Sequence, residues 1–353
     1  MQEIDVLSAV RHPDPYPFYA ALAARGALLR DERLGLWIAA SPQLVEEVLL
    51  HPALRVRPPA EPVPSAIAGG SAGQVFAALV RMNDGERHAA PKAVLQRALA
   101  GGAPAAARQC ARDIAARLLR ERSPGAWTFE APVSAVASLL GFSDAQLPAV
   151  ARWTGEFVAC LSPLSSPEQI SAAHAASLRL LAAMRELLQD TAPGSLAATV
   201  AGEARAAGWR QDHAIIANLV GLMSQTYEAT AGMVGNCLVA MQRGAQAGDP
   251  EALVAHVMRD DPPVQNTRRF AAADCVVGGT PVAAGQAILV VLAAAQRGFG
   301  HGAHACPGQA LAQQLAAGCI EALDGIALPP LEWTYRASLN ARIPEFNEKG
   351  ARA

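Results

Sequence analysis

The chain has 353 residues, of which 52% are hydrophobic and 17% charged, and its formal net charge is −2. This length allows a large buried core, and the charge balance gives no indication of binding to nucleic acid or to an anionic membrane. Six cysteines show neither a CxxC pair nor metal-ligand spacing, so we predict no zinc site and no disulfide framework. The first residues lack a signal-peptide pattern and no apolar stretch reaches membrane-spanning length, so we expect a cytoplasmic protein.

The start of the chain predicts a helix, a hairpin and a second helix. Residues 13–25 are expected to form an extended segment followed by a short helix, and 27–30 and 36–39 are candidate strands. Ser41 and Pro42 supply an N-cap and a first helical residue, which predicts a helix from there to about Leu50. Residues 58–74 are rich in Pro, Gly, Ser and Ala, which predicts a flexible surface segment.

His88 and Lys92 lie four positions apart in a helical stretch, so their side chains share one helix face. Such a pair can present two hydrogen-bond donors to one anionic group. Taken alone, it is usually a solvated surface feature.

The middle of the chain is almost wholly helical in pattern, with helices expected over 105–122, 131–140, 144–161 and 167–188 and from 213 onward. A long apolar helix follows over 219–241 and carries polar residues at its centre, from Gln225 to Glu228, then Ala229 and Thr230. Farther along, 256–259 reads HVMR at a helix end, and 274–277 and 287–292 are expected to form a small sheet.

The most distinctive stretch is the ten-residue segment FGHGAHACPG, from Phe299 to Gly308, followed by a predicted helix over 309–323. Its glycines let the backbone pass close to a large flat group, and Pro307 favours the first turn of the helix. Cys306 is therefore expected beside free amide groups at the positive helix end, where a thiolate is favoured. A thiolate on such a loop suits a haem iron, which can take cysteine as its axial ligand. The alternative is a buried cysteine beside a glycine-rich turn.

This segment resembles the haem-binding loop of the cytochromes P450, and the order of elements at the start of the chain is similar too. The resemblance implies a mainly α fold with small β-sheets, in a single domain over 1–353 with a small β subdomain from about 27–40 and 274–292. It implies haem b, iron protoporphyrin IX, with Cys306 as the metal ligand. The residues that the resemblance assigns to cofactor binding are Cys306, Phe299, Gly300, Gly302 and Gly308 in the loop, and His88, Lys92, Arg269 and His304 toward the haem propionates.

The long helix departs from the family pattern at a position that matters for mechanism. In the family the corresponding helix crosses the distal face of the haem and carries an acid followed by threonine, which manage protons at bound oxygen. Here Glu228 keeps the acid, Ala229 replaces the alcohol, and Thr230 lies about 100° farther around the helix. The substrate could supply a hydroxyl, peroxide could replace O₂, or a water chain at Gln225, Thr226 or Glu228 could deliver protons. Neutral drift is the further alternative. The catalytic candidates are Gln225, Glu228, Ala229 and Thr230.

A second departure concerns a buried charge network of the family. Arg259 matches the arginine of its Glu-x-x-Arg motif, but His256 stands in place of the glutamate, and the meander segment before the cysteine loop is missing. A charged residue of such a network is costly to bury without its partners. The loss of the glutamate is therefore consistent with the loss of the meander. We expect Arg259 to bond backbone carbonyls or a nearby carboxylate.

The resemblance implies an oxidoreductase that acts on a small organic molecule through a ferryl species, with non-standard proton delivery, and that tailors a specialised metabolite. The expected partners are a substrate, which could be tethered to a carrier, and a ferredoxin with its reductase, or peroxide, as the source of oxidising equivalents. Two other functions stay open: a haem- or carrier-binding scaffold with little turnover, and a haem enzyme that works without O₂.

Overall fold

The computed structural model describes residues 4–102, 104–245, 248–326 and 328–347. Thirteen α-helices form in these residues, and none of them is long and apolar enough to cross a lipid bilayer. The helices are α1 (Tyr16–Ala24), α2 (Pro42–Leu50), α3 (Ser65–Ala68), α4 (Ser71–Ala78), α5 (Glu86–Ala100), α6 (Pro104–Leu118), α7 (Pro124–Leu140), α8 (Leu147–Ala159), α9 (Pro167–Gln189), α10 (Leu196–Ala206), α11 (Asp212–Gln242), α12 (Pro250–Asp260) and α13 (Gln309–Glu321).

Nine short strands in the same described ranges form three sheets, which confirms the predicted mainly α class with small sheets. They are β1 (Leu29–Asp31), β2 (Leu36–Ala39), β3 (Leu54–Arg55), β4 (Thr267–Ala271), β5 (Cys275–Val277), β6 (Thr280–Val282), β7 (Ala287–Val290), β8 (Glu332–Tyr335) and β9 (Pro344–Asn347). The largest sheet has the order β1-β2-β7-β4-β3, with β2 and β7 parallel, while β5–β6 and β8–β9 are separate hairpins.

The expected sheet of 274–277 with 287–292 is therefore wrong. Residues 275–277 pair with β6 across the tight turn at Gly278 and Gly279, whereas 287–290 lie between β2 and β4. The turn joins its two neighbouring strands directly. The pairing of β7 with β2 joins distant parts of the chain, and no short-range sequence pattern predicts it.

The beginning of the chain folds as its local signals predict. β1 and β2 pair as an antiparallel hairpin, and α2 begins at Pro42. The Ser41 side chain caps that helix, because its Oγ accepts a hydrogen bond from the backbone N–H of Leu44 at 3.4 Å. An N-cap serine followed by proline is a strong helix start, so tertiary packing and local preference agree here.

The segment 58–74 differs from the expectation of a flexible surface segment, because α3 and the start of α4 lie within it. Ile67, Ala72 and Gly73 are buried in the main core. A Cβ at position 73 would lie 2.1 Å from the Ile67 carbonyl oxygen, so the two short helices meet where only glycine fits. Packing, rather than helix propensity, decides this segment.

Helix α11 passes through the centre of the fold and positions the candidate site. It packs against α7, α8, α12 and α13, and its residues are buried over most of the range from 214 to 239. Residues 225–229 are the longest exception, since each of their side chains is at least partly exposed to solvent. The polar centre of the helix therefore borders a space that solvent can reach.

Candidate active site

The cysteine loop, residues 299–308, is a tight backbone structure between β7 and α13. The backbone N–H of Cys306 donates to the Phe299 carbonyl at 2.8 Å, and that of Gly300 donates to the Arg297 carbonyl at 2.7 Å. Gly300 and Gly302 have φ angles of 74° and 65°, which favour glycine. A Cβ at Gly302 would also lie 2.5 Å from Leu50 Cδ2, so α2 closes one side of the loop.

Helix α13 begins at Gln309 with Gly308 at its N-cap. Pro307 lies in the turn before the cap, so its expected place in the first helical turn is wrong. Because proline has a fixed φ angle, Pro307 sets the direction of the backbone just before the helix.

The Cys306 side chain is exposed to solvent, yet the surrounding protein raises the pKa of its thiol. Desolvation is the largest cause, and it outweighs the Gly308 N–H and the Lys92 charge, which both lower the pKa. The expectation that the protein alone favours a thiolate is therefore wrong. Accessibility together with desolvation places the sulfur in a cleft, where a bound metal cation would remove the thiol proton.

Lys92 is buried on α5 and ties that helix to the cysteine loop. Its Nζ donates to the backbone carbonyls of Ala303 and Ala305. Burial lowers the pKa of the ammonium, and Cys306 opposes that change. The structure thus gives Lys92 two loop carbonyls as partners, and its predicted role toward a propionate stays a prediction.

His88 and His304 meet at the edge of the same region. Their rings stack with centroids 4.0 Å apart, and His304 Nε2 lies 3.1 Å from Asp84 Oδ1. Burial, His304 and Lys92 lower the pKa of His88 to about 4, against the effect of Asp84. Burial tends to raise the pKa of Asp84, but hydrogen bonds from His304 and the Val56 N–H prevail and lower it.

Arg269 lies on β4 and is only 6% exposed. Its one side-chain hydrogen bond among the described residues runs from Nη1 to the Arg268 carbonyl, at 2.9 Å, and no ion pair in those ranges includes it. Burial lowers the pKa of the guanidinium, and Asp84 opposes the shift. A buried arginine without a carboxylate partner is costly unless an anion completes the site. We call Asp84, His88, Arg269 and His304 the Asp84 cluster.

These features fit a haem group. A reachable thiol lies on a loop that needs glycine at positions 300 and 302, and the buried guanidinium of Arg269 lacks an anionic partner in the described ranges. Cysteine thiolate is one of the axial ligands that haem iron accepts, and propionates are the anions that haem would bring. Cys306 would hold the iron, while Arg269, His88 and His304 would face the propionates.

The centre of α11 carries the predicted catalytic candidates in two different settings. Gln225 Nε2 and Thr226 Oγ1 donate to carbonyls of their own helix, at 2.9 and 2.8 Å. Ala229 is partly exposed, whereas Thr230 is 1% exposed and buried in the helix packing. Thr230 therefore does not take the place of the missing alcohol on the exposed face.

Glu228 contacts a residue that the sequence did not single out. Arg336 Nη1 lies 3.9 Å from Glu228 Oε1, and its Nε lies 3.7 Å from Glu345 Oε1. Burial raises the pKa of the Glu228 carboxyl, although Arg336 and then Arg81 act to lower it. Arg81 and Arg336 come from distant segments, and no helical or strand spacing connects them to α11.

The region of the lost family network contains different ion pairs. Arg259 donates from Nη2 to Asp260 Oδ2 at 2.8 Å and lies 3.0 Å from His256 Nδ1, all on the exposed end of α12. Arg259 was expected to bond backbone carbonyls or a nearby carboxylate, and the structure gives it the carboxylate of Asp260. A fully buried arginine occurs instead at Arg342, whose Nε donates to Asp261 Oδ1 at 2.6 Å.

The comparisons with known proteins agree with this geometry. No family profile matches the chain. Cytochrome P450 107B1 of Saccharopolyspora erythraea is 28% identical over 228 residues, which are 54% of this chain and 55% of that protein, so the match spans about half of this curated relative. Among solved structures, epothilone B-bound cytochrome P450epoK has a TM-score of 0.82 at 16% identity, covering 98% of each chain.

A second solved structure is P450BioI in complex with an acyl carrier protein ligated to hexadec-9Z-enoic acid. It has a TM-score of 0.78 at 17% identity, covering 94% of this chain and 97% of that chain. The fold and the sequence similarity confirm the resemblance that the cysteine loop indicated. The chain therefore has the fold of the cytochromes P450 and resembles them in its cysteine loop.

Proposed function

We propose that the chain is a haem-thiolate oxidoreductase that oxidises a small organic molecule in the manner of a P450 monooxygenase. The observation that carries the proposal is the reachable Cys306 thiol on its glycine loop, held against α2 and α5. When bound, haem would supply the redox chemistry, which protein side chains cannot provide.

The remaining residues of the site would divide the work between holding the cofactor and handling the substrate. Cys306 would be the axial ligand, Arg269 would balance propionate charge, and His88 and His304 would add hydrogen bonds. Lys92 keeps the loop in place through its carbonyls. On α11, Glu228 and the exposed side chains next to it would border the substrate.

Proton delivery would be non-standard because Ala229 has no hydroxyl. Glu228 has a raised pKa and so holds a proton more readily at a given pH than an ordinary glutamate. A substrate hydroxyl or a water chain at Gln225, Thr226 and Glu228 would complete the relay, and peroxide would remove the need for part of it.

The proposal extends to partners and setting. A ferredoxin with its reductase, or peroxide, would supply oxidising equivalents, and the acyl carrier protein bound to P450BioI supports a carrier-tethered substrate as one form. Tailoring of a specialised metabolite and a cytoplasmic location complete the proposal.

The experiment is product formation by the haem-loaded protein with a panel of ligands that it binds. Three conditions separate the functions: O₂ with electrons, peroxide, and nitrogen without oxidant, each analysed by mass spectrometry. We expect oxidised product in at least one of the first two conditions and none under nitrogen. Tight binding without product in any condition would indicate a scaffold, and turnover under nitrogen would indicate an O₂-independent enzyme.

A further inference from the structure

Arg81 belongs to a second group of charges, separate from the Asp84 cluster. The charged neighbour that affects Arg81 is Glu228, whereas Asp84 is the one that affects Arg269. Glu228 also lies beside Arg336. We call Arg81, Glu228 and Arg336 the Glu228 group.

The backbone around Arg81 is fixed against α11. Arg81 lies in a 3₁₀ turn, Val80–Met82, and its neighbours Leu79 and Val80 are buried. The Val80 N–H donates to Asn218 Oδ1 at 2.8 Å, and a Cβ at Gly221 would lie 2.8 Å from Leu79 Cδ2. The turn is therefore held in place, so Arg81 extends from a rigid position.

The Arg81 side chain combines access to solvent with an environment of protein atoms. It is exposed, yet desolvation lowers the pKa of its guanidinium. Cys306 shows the same combination. The turn that carries Arg81 packs against α11, whose exposed side chains at 225–229 border a space that solvent can reach, so the long Arg81 side chain can reach that space.

Arg81 also lacks the partners that its neighbour in the group has. Arg336 lies 3.9 Å from Glu228 and 3.7 Å from Glu345, and its guanidinium lies over the Phe129 ring at 5.4 Å. Across the described ranges, no side-chain hydrogen bond or ion pair involves Arg81. A desolvated guanidinium has five donors in a planar fork that matches a carboxylate.

We propose that Arg81 binds a carboxylate of the substrate in the cleft beside Glu228, so that the substrate class is a small organic acid. This inference rests on the proposed function, because it assigns specificity to the same cleft. Arg81 would fix the orientation of the acid through a bidentate contact, and the rest of the molecule would lie against α11. Glu228 carries the same sign as the ligand and would weaken its binding.

The test is isothermal titration calorimetry of the haem-loaded protein with decanoate and decanamide, which have the same chain length and differ in charge. We expect tighter binding of decanoate than of decanamide, and Arg81→Met should reduce that preference by about 10- to 100-fold, as expected for loss of a charge-assisted hydrogen bond. Arg81→Lys should keep part of the preference. Glu228→Gln should strengthen decanoate binding a few-fold.

The matched control is Arg87→Met, which removes an exposed arginine from the first turns of α5 and should leave the preference unchanged. Equal binding of the two probes by the wild-type protein, or an unchanged preference in Arg81→Met, would overturn the inference. The iron ligation and the oxidation of a neutral substrate are measured on the same preparations. If iron ligation and oxidation of the neutral substrate are intact but the preference for decanoate is absent, only this inference fails. If the preference for decanoate is present but ligation and oxidation are absent, only the proposed function fails.

Discussion

The cysteine loop and the centre of α11 differ in how their side chains are held. The loop is fixed from several elements at once, because Leu50 of α2 lies under Gly302 and Lys92 of α5 bonds two of its carbonyls. On α11, the partner of Gln225 among the described residues is a carbonyl of its own helix, and Glu228 has a long contact with Arg336. The loop therefore tolerates little change, while the exposed side chains of α11 can vary with the substrate at little cost to the fold.

The largest expected effect is on cofactor affinity when Arg269 loses its charge. Arg269→Met should weaken haem binding by about 10- to 100-fold, because a hydrogen bond to a charged group contributes about 1.5–3 kcal/mol. Haem dimethyl ester, which has no propionate charge, should bind the variant and the wild-type protein equally. The measurement is a titration of haem-free protein with each cofactor.

Arg268→Met is the matched control, since Arg268 precedes Arg269 on β4 and points to the other face of the strand. An equal loss with haem and with its ester would contradict a propionate contact for Arg269.

His88 should make the haem-free protein less stable in acid. Its pKa is about 4 in the folded protein and about 6.5 in the unfolded chain, so the unfolded chain binds the proton more tightly. The free energy of unfolding should be level above pH 6.5 and should fall by about 2 kcal/mol from this residue by pH 5. Denaturant unfolding at several pH values measures the change.

His88→Asn should remove that part of the pH dependence, while His213→Asn, at an exposed position near the start of α11, should keep it. An identical pH dependence in His88→Asn and the wild-type protein would show that His88 is not the group responsible.

Lys92→Met separates two roles of one side chain. If Lys92 acts through the loop carbonyls, the variant should bind haem about fivefold more weakly and lose the same factor with haem dimethyl ester, because the carbonyls stay unpaired in both cases. Lys92→Arg should recover most of the affinity. A loss that disappears with the ester would instead assign Lys92 to a propionate.

The smallest effect on cofactor binding is expected at Ala229. Ala229→Thr should change haem affinity by less than about twofold, because the position is partly exposed. It should raise O₂-driven product formation by about tenfold and leave the peroxide-driven reaction unchanged, since only the former needs the added proton donor. Ala229→Val has the same shape without the hydroxyl, and an equal rise in that variant would contradict a proton-relay role.

The sequence predicted the features that depend on neighbouring residues. The cap at Ser41, the start of α13 after Gly308 and the identity of the cysteine loop all follow from short-range patterns. The helices within 58–74 depend on packing at Gly73, which composition does not reveal.

Contacts between distant segments could not be predicted in the same way. The pairing of β7 with β2, and the meeting of Arg336 with Glu228, depend on where the folded chain brings those segments. The raised pKa of the Cys306 thiol cannot be predicted from sequence for a related reason. The helix end and Lys92 can be inferred from sequence order, whereas desolvation depends on the surrounding fold.

The central claim is that the Cys306 sulfur ligates the haem iron. Iron X-ray absorption of the haem-loaded protein measures this bond directly. We expect a sulfur scatterer in the first shell of the wild-type protein and of Cys275→Ser, and its loss in Cys306→Ser. A first shell of nitrogen and oxygen alone in the wild-type protein, or sulfur that persists in Cys306→Ser, would contradict the claim.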